Sequence, residues 1–444
     1  MNQLIFEGVR CFHSLHACPL KPITLLVGEN SSGKTTFLAL NRIAWDIAEG
    51  DLNEDIFNEE PFMLGAYDQI ASFRGGKAGR AKSFTVGFDI SLKATPKRKT
   101  SDLFADQARV TARFVPTGSE PKIDEWRFEC GKFSVTAKQS TKPTQRDIAV
   151  TTPQGTRGIE ERLYSRRWTS ISRTLDDLRF VLSPDFPITK DDPGSKSAIL
   201  TEKELSDLRK ILGYVSQALG QRPYAFAPIR TRPQRTYDPL KDVPKPEGSH
   251  IPMVLARIFL EEPERRSRLL ESLNAFGQAS GLFNSVEVKR KGQKESDPFQ
   301  IGIKTTGPVV NLVDVGYGVS QVLPIIVDAV QNPNNTTFLL QQPEVHLHPR
   351  AQAELGSFLA TLAKQQNKRF IVETHSDYLI DRIRMDIRDK KYLNPDDVVI
   401  LYFEKSPSGV DIHTLEFDES GNILNAPSTY RQFFLDEERR LLGV

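Results

Sequence analysis

Residues 22–46, PITLLVGENSSGKTTFLALNRIAWD, decide how the rest of the chain is read. Pro22 to Val27 is a short, dense apolar run of the kind a strand buried on both faces shows. Thr35 to Asp46 carries Phe37, Leu38, Leu40, Ile43 and Trp45 at helical spacing, which predicts an amphipathic helix. Between them, Gly28-Glu29-Asn30-Ser31-Ser32-Gly33-Lys34-Thr35 satisfies G-x-x-x-x-G-K-[ST] at every position. Glycines in such a loop let successive backbone N–H groups converge on one anion, and the helix that follows adds the positive end of its dipole. Lys34 is expected to reach the β- and γ-phosphates of a nucleotide, and Thr35 to ligate Mg²⁺. A chance glycine turn is a poor reading of a loop set between this strand and this helix.

The 444 residues suffice for one large core with an inserted region, or for two domains. With 39% hydrophobic and 26% charged residues, the chain is globular rather than disordered. Lys and Arg number 59 against 57 Asp and Glu, a net +2 that excludes a dedicated nucleic-acid coat but leaves room for a local basic strip. Cys11, Cys18 and Cys130 form no CxxC pair, so neither a disulfide framework nor a four-cysteine zinc site is expected. The opening MNQLIFEGVR lacks the basic-then-apolar layout of a signal peptide, and no long apolar run occurs. A cytoplasmic chain with no membrane partner is the expectation.

Working outward, Gln3 to Val9 alternates like an edge strand, and Phe84 to Leu92, Ala108 to Val115 and Glu125 to Thr136 predict antiparallel strands of a lateral sheet. Lys93 to Thr100 is a basic loop, and Thr141 to Gly158 is polar and turn-rich. Helical patterns at Ile159 to Val181 and Thr201 to Leu219 flank a proline-bearing loop, Pro184 to Gly194. Residues 93–222 are therefore read as an insertion, strands then helices and mainly helical, between an N-terminal lobe 1–92 and a C-terminal lobe 223–444. No heptads persist, so no long coiled coil is expected. In the C-terminal lobe, Ser249 to Glu261, Pro263 to Ser280, Leu323 to Val330 and Arg350 to Lys364 predict helices. Phe283 to Lys289 and Phe299 to Thr305 predict a hairpin around the basic stretch Lys289 to Lys294. Thr337 to Leu340 and Arg369 to Glu373 predict buried strands, and Val398 to Glu404 and Val410 to Leu415 late ones.

Three further motifs stand behind the glycine loop. Phe338-Leu339-Leu340-Gln341-Gln342-Pro343-Glu344-Val345-His346-Leu347-His348-Pro349 is a buried strand ending in polar residues, the place where P-loop proteins hold an acid and a water-orienting group. Phe370-Ile371-Val372-Glu373-Thr374-His375-Ser376-Asp377 has the same form, and Asp314-Val315-Gly316-Tyr317-Gly318-Val319-Ser320-Gln321 is a glycine-serine turn entering a helix. His346 and His348 are two apart and read either as shapers of a loop or as metal ligands, without H-E-x-x-H or a cysteine to support the second.

This set resembles the ABC ATPase head of SMC, RecF and OLD-type proteins, and in particular the coil-less Septu-type and retron-associated ATPases of bacterial anti-phage systems. The resemblance covers roughly 1–90 and 223–444. It implies an α/β fold, a P-loop ABC-type head with a mixed central sheet, flanking helices and an antiparallel lateral sheet. It makes Gly28 to Thr36, including Asn30, Ser31, Ser32, Gly33, Lys34, Thr35 and Thr36, the Walker A loop. Arg10 and Phe12 fall where related heads place residues near the nucleotide, and Gln69 falls at a Q-loop position, with Thr35 and Gln341 a candidate Mg²⁺ ligand. Gly318, Ser320 and Gln321 resemble the signature motif that caps the γ-phosphate of the opposite subunit. Leu347, His348 and Pro349 resemble the D-loop, and His375 the switch histidine. ATP and Mg²⁺ are the implied cofactors, and a homodimer with ATP sandwiched at its seam the implied assembly. The run Ala227 to Tyr237 (APIRTRPQRTY) resembles an Arg- and Pro-rich segment of these ATPases. It reads either as part of the site or as three arginines on a solvated loop.

The sequence departs from these relatives where Asp or Glu is usual, at Gln341 and Gln342. Glutamine can orient a nucleophile but cannot take up a proton. Glu344 and Glu373 are the acids at hand. Tight ATP binding with slow hydrolysis is expected, with Gln341, Gln342, Glu344 and His375 the catalytic candidates. Only 69 residues follow His375, without the acidic cluster a nuclease would need, so any cutting is expected from a partner effector. The implied role is an ATPase subunit that controls or scaffolds that effector, with DNA or RNA contact indirect. Two alternatives stay open: a RecF-like repair ATPase that binds DNA itself, and a nucleotide-gated scaffold with negligible hydrolysis. The basic stretches Lys93 to Lys99 and Lys289 to Lys294 read as phosphate contacts or as solvated hairpin tips. Phe433, Phe434, Leu441 and Leu442 could form one stripe on a terminal helix, docked on the chain's own core or on a partner.

Overall fold

The computed structural model describes residues 1–49, 56–76, 79–92, 105–139, 145–162, 201–239 and 243–442. The elements run β1 (Gln3–Glu7), β2 (His16–Pro19), β3 (Ile23–Gly28), α1 (Lys34–Glu49), α2 (Tyr67–Ile70), β4 (Phe84–Ser91), β5 (Gln107–Thr117), β6 (Glu120–Cys130), β7 (Phe133–Gln139), β8 (Gln145–Thr152), β9 (Gly155–Arg162) and α3 (Glu202–Leu219). They continue with β10 (Tyr224–Phe226), α4 (Ile251–Glu261), α5 (Pro263–Ser280), β11 (Ser285–Arg290), β12 (Phe299–Lys304), β13 (Val309–Asn311), α6 (Tyr317–Gln331), β14 (Thr337–Gln341), α7 (Pro349–Gln366), β15 (Arg369–Glu373), α8 (Asp377–Arg388), β16 (Val398–Ser406), β17 (Gly409–Phe417), β18 (Ile423–Leu424) and α9 (Gln432–Leu442). Two compact units form: Met1–Leu20, Asn30–Arg222 and Glu404–Ile412 in one, and Lys21–Glu29, Pro223–Phe403 and His413–Val444 in the other.

The first unit holds an eight-stranded sheet in the order β2-β1-β4-β5-β6-β7-β8-β9. Its strands show why alternation was a sound guide. Phe84, Val86, Phe88 and Ile90 on β4 meet Ala108, Val110, Ala112 and Phe114 on β5, all buried, and Phe84 stacks on Phe114 at 5.0 Å. Helix α1 packs on β1, β4 and β5, and its Phe37, Leu40, Ala44 and Ile47 are fully buried.

Three expectations need correction here. Gln3 to Glu7 is not an edge strand, because β1 lies between β2 and β4; the four-residue HACP of β2 is too short for its period to show. Residues 107–162 hold five strands that extend the sheet of β1 and β4, so among the described residues of 93–222 strands outweigh the single helix α3. Ile159 to Arg162 belong to β9, with Ile159 opposite Ile148, and not to a helix. The glycines and charges of GTRGIEER hide the two-residue period. The rest of that expected helix, the Pro184 to Gly194 loop and Lys93 to Thr100 lie outside the described residues.

The second unit is built on a seven-stranded sheet, β10-β14-β15-β3-β16-β17-β18. Strands β10, β14, β15, β3 and β16 run parallel, and Ile23 to Leu26, Phe338 to Leu340 and Phe370 to Val372 are buried as continuous runs. The core joins them to Leu255, Phe276, Val322, Ile325, Leu355, Leu359 and Ile383 of the helices. Helix α6 is buried on nearly every side from Val319 to Ala329 and starts six residues before the apolar pattern suggests. A small sheet, β11-β12-β13, completes the unit. Register places Gln341 opposite Glu373 and Glu373 opposite Leu26, so β14, β15 and β3 end together. In open parallel sheets, ligands bind off the carboxyl ends of the strands. At the C-terminus, Leu441 and Leu442 on α9 are 86% and 75% exposed, so these two do not dock on the core; the side chains of Phe433 and Phe434 lie outside the described residues.

Candidate nucleotide site

The loop after β3 is shaped by backbone sign. Gly28, Ser31 and Gly33 take φ values of 152°, 60° and 92°, which curl the chain between strand and helix. Gly33 cannot carry a side chain: a Cβ there would lie 2.5 Å from Cζ of Phe12 and 2.8 Å from Sγ of Cys11. Phe12 is itself fully buried and packs edge-on against Phe6 at 5.0 Å, so it cannot yield. The Gly33 carbonyl accepts from the Phe37 amide at 2.9 Å, and α1 presents its positive end to the loop. Asn30, Ser31 and Thr35 are exposed, while Ser32, Lys34 and Thr36 are buried. A curled loop, a helix start, a lysine and an exposed hydroxyl fit a triphosphate, whose Mg²⁺ ordinarily binds with the phosphates rather than in a protein cage.

Arg10 is brought to this loop. Its Nη1 donates to Oγ1 of Thr36 at 3.1 Å, its Nη2 to the Leu64 carbonyl at 2.9 Å and its Nε to the Gln69 carbonyl at 3.4 Å. Burial pulls its guanidinium below the ordinary value. Gln69 thus sits beside Arg10, but its side-chain Oε1 accepts from the Ala66 amide at 3.0 Å and caps α2.

At the end of β14, Gln341 is buried and its Nε2 donates to the Phe226 carbonyl on β10 at 3.3 Å. Gln342 takes φ 41° and its amide donates to the Glu373 carbonyl at 2.8 Å. The acid just past this strand end is Glu344, which is 7% exposed. Its Oε1 accepts from the His375 amide at 2.7 Å, while its Oε2 has no hydrogen-bond partner. Burial pushes this carboxyl up from its ordinary range, against the pull of the His375 amide. The His375 side chain is exposed, so Glu344 fixes the backbone of the histidine loop and leaves the ring outside.

Gly318 and the loop after β14 touch. A Cβ on Gly318 would lie 2.8 Å from the His346 carbonyl, and Tyr317 stands edge-on to His346 at 4.9 Å. Oγ of Ser320 donates to the Tyr317 carbonyl at 2.8 Å. Ser320 and Gln321 are buried in the single chain, whereas Gly316 and Tyr317 are exposed. His346 takes φ 67°, and Nδ1 of His348 accepts from the Arg350 amide to cap α7. Both histidines shape the loop, and no metal-binding group of three His, Cys, Asp or Glu occurs among the described residues.

The three arginines of 227–237 part company. Arg235 is exposed and pairs with Asp314 at 2.6 Å, and Arg232 is exposed. Arg230 is 1% exposed, none of its nitrogens has a hydrogen-bond partner, and burial pulls it down to about 10 although the charge of Glu344 works the other way. Sequence reasoning missed this burial. The pattern x-P-I-R carries no period that separates an inward from an outward arginine.

Residues 196–381 match a family model described as "AAA domain, putative AbiEii toxin, Type IV TA system". The matched segment holds the Gly318 turn, the Gln341 strand end and His375; the glycine loop at 28–35 lies outside it. No curated protein matches. Among solved structures, an SMC head bound to the C-winged helix domain of ScpA is 12% identical with a TM-score of 0.47, over 94% of this chain and 98% of that one. An Smc head with an extended coiled coil, from Pyrococcus furiosus and bound to the C-terminal domain of ScpA, is 11% identical with a TM-score of 0.41 over 99% of each chain. The SMC head of Thermotoga maritima is 13% identical with a TM-score of 0.36, over 93% of this chain and 97% of that one. These likenesses are distant.

Proposed function

We propose that this chain, an ATPase of the ABC/SMC-like class, is an ATP-controlled clamp: it binds ATP with Mg²⁺ at Gly28 to Thr36, closes on a second copy of itself, hydrolyses slowly, and controls a partner effector, a nuclease, in defence against phage. The carrying observation is the loop itself, curled by positive φ at Ser31 and Gly33 and locked on Phe12. Lys34 and the start of α1 hold the phosphates, Thr35 offers its hydroxyl to the metal, and Arg10 braces Thr36. Mg²⁺, when bound, offsets phosphate charge.

Closure on a twin is supported by the exposed Gly316 and Tyr317 at the start of α6, preceded by exposed Val309 and Val313. ATP would then bind the closed pair better than the open one, which is all that a ligand-driven switch requires. Slow chemistry is supported by the uncharged Gln341 and Gln342 and by the engagement of the Gln341 amide with Phe226. Glu344 is the candidate base, as the acid buried just past the end of β14 where Gln341 and Gln342 carry none. A nuclease effector and a defence role rest on the resemblance of the sequence motifs to anti-phage ATPases. The test is paired: ATP binding and steady-state hydrolysis on the same sample. Tight binding with turnover below roughly 1 s⁻¹, the low end of ordinary enzymes, is expected, and faster turnover contradicts the slow clamp. Steeply salt-sensitive DNA binding by the lone protein would instead favour direct contact through Lys289 to Lys294.

A further inference from the structure

Arg230 is a buried charge that the clamp leaves unused. A guanidinium has five N–H donors in a fixed fork, and an unpaired one in the interior is strongly unfavourable. Arg230 is 1% exposed, with no partner for Nε, Nη1 or Nη2. Oε2 of Glu344, 7% exposed, is likewise without a partner. Phe226 on β10 stands opposite Leu340 on the parallel β14, and Arg230 and Glu344 follow each at the same offset. Gln341 Nε2 ties the two strand ends through the Phe226 carbonyl. The arginine loop is pinned by Ala227 donating to Pro246 and Thr231 donating to Glu247, both at 2.9 Å. The opposite charges act on each other, yet no hydrogen bond joins them. Gln341 and Gln342 cannot accept a proton, which leaves Glu344 as the acid here; hydrogen bonds from the His375 amide, its own amide and the Thr374 side chain favour its ionised form, and the Arg230 charge acts in the same direction.

We propose that Arg230 is a positioning residue for Glu344: its fork closes on the free carboxylate oxygen in the ATP-bound protein, and keeps Glu344 charged and aimed as the base for hydrolysis. This rests on the ATPase reading above. In the step, the water oxygen forms a bond to the γ-phosphorus as the bond to the β,γ-bridging oxygen breaks. ADP leaves with that electron pair, and the water proton passes to Glu344, which later returns it to solvent. A carboxyl buried without its cation favours the neutral form, which cannot accept that proton.

The experiment follows single-turnover hydrolysis of γ-labelled ATP from about pH 5 to about pH 9 in wild type, Arg230→Gln, Arg230→Lys, Glu344→Gln and the double variant, with ATP binding measured separately. Expected are binding within about threefold of wild type throughout, and a loss of rate of about 10- to 100-fold in Arg230→Gln. Its acidic limb should move to higher pH. Arg230→Lys should restore the limb and part of the rate, and the double variant should be no slower than Glu344→Gln alone. An unmoved limb in Arg230→Gln, or losses that multiply in the double variant, overturns the proposal. If Arg230→Gln does not fold, Arg230→Lys decides: reduced rate with the wild-type limb supports the fork, and full rate overturns it. Wild type that binds ATP but never cleaves it overturns this proposal and spares the clamp; wild type that binds no ATP overturns the nucleotide reading itself.

Discussion

Two loops leave the same end of one parallel sheet, the one after β3 and the one after β14, and they are built on opposite principles. The first is held by backbone: positive φ, a glycine pressed on Phe12, a helix start. The second is held by buried side chains, Gln341 on Phe226 and Glu344 on the His375 amide, while Arg230 after β10 is buried with its donors unpaired. Backbone geometry serves phosphate, which every nucleotide presents alike, whereas charge placement decides what is then done with it. On the proposed reading, affinity belongs to the first loop and rate to the second.

The sharpest way to break that division is Gly33→Val. Its branched side chain would meet Phe12 at a left-handed position, costing about 1–3 kcal/mol of strain. Nucleotide affinity, read by titration, should fall by about 100-fold or more, since one charged hydrogen bond alone is worth roughly 10- to 100-fold. Affinity close to wild type would remove the loop from the site. Next comes Gly318→Val, which drives a side chain into the His346 carbonyl. ATP should still bind within about threefold, by the additivity of distant sites, while ATP-dependent dimerisation is lost.

The first loop was legible from residues alone because its motif is local: eight consecutive residues between a strand and a helix. The strands β14 and β15 were legible for the same reason, as dense apolar runs. What stayed hidden depends on long-range neighbours. Gln341 spends its amide on a residue 115 positions away, and Arg230 is buried while Arg232 and Arg235, in the same segment, are exposed. No spacing rule separates them. β2, β8 and β9 were missed: β2 is too short, β8 lies in the stretch Thr141 to Gly158 read as polar and turn-rich, and β9 is too rich in glycine and charge for a period to register.

The smallest effect is a control at the opposite, amino end of the sheet. Lys368 is fully buried, and its Nζ donates to the Ala329 carbonyl. Burial pulls its ammonium down to about 8. Between about 8 and its ordinary value near 10.4, the folded chain binds fewer protons than the unfolded one, so stability rises with pH across that window. Lys368→Met lacks this penalty. Denaturation should show it more stable than wild type below pH 8 by about 1–3 kcal/mol, with the gap closing above that pH and ATP affinity untouched. A constant gap would mean that the lysine is solvated.

Native mass measurement with and without saturating ATP tests the clamp most directly. A 50.0 kDa chain should double in mass with ATP and return to the single mass in Lys34→Ala. A wild-type chain that stays at the single mass with ATP demonstrably bound would contradict it.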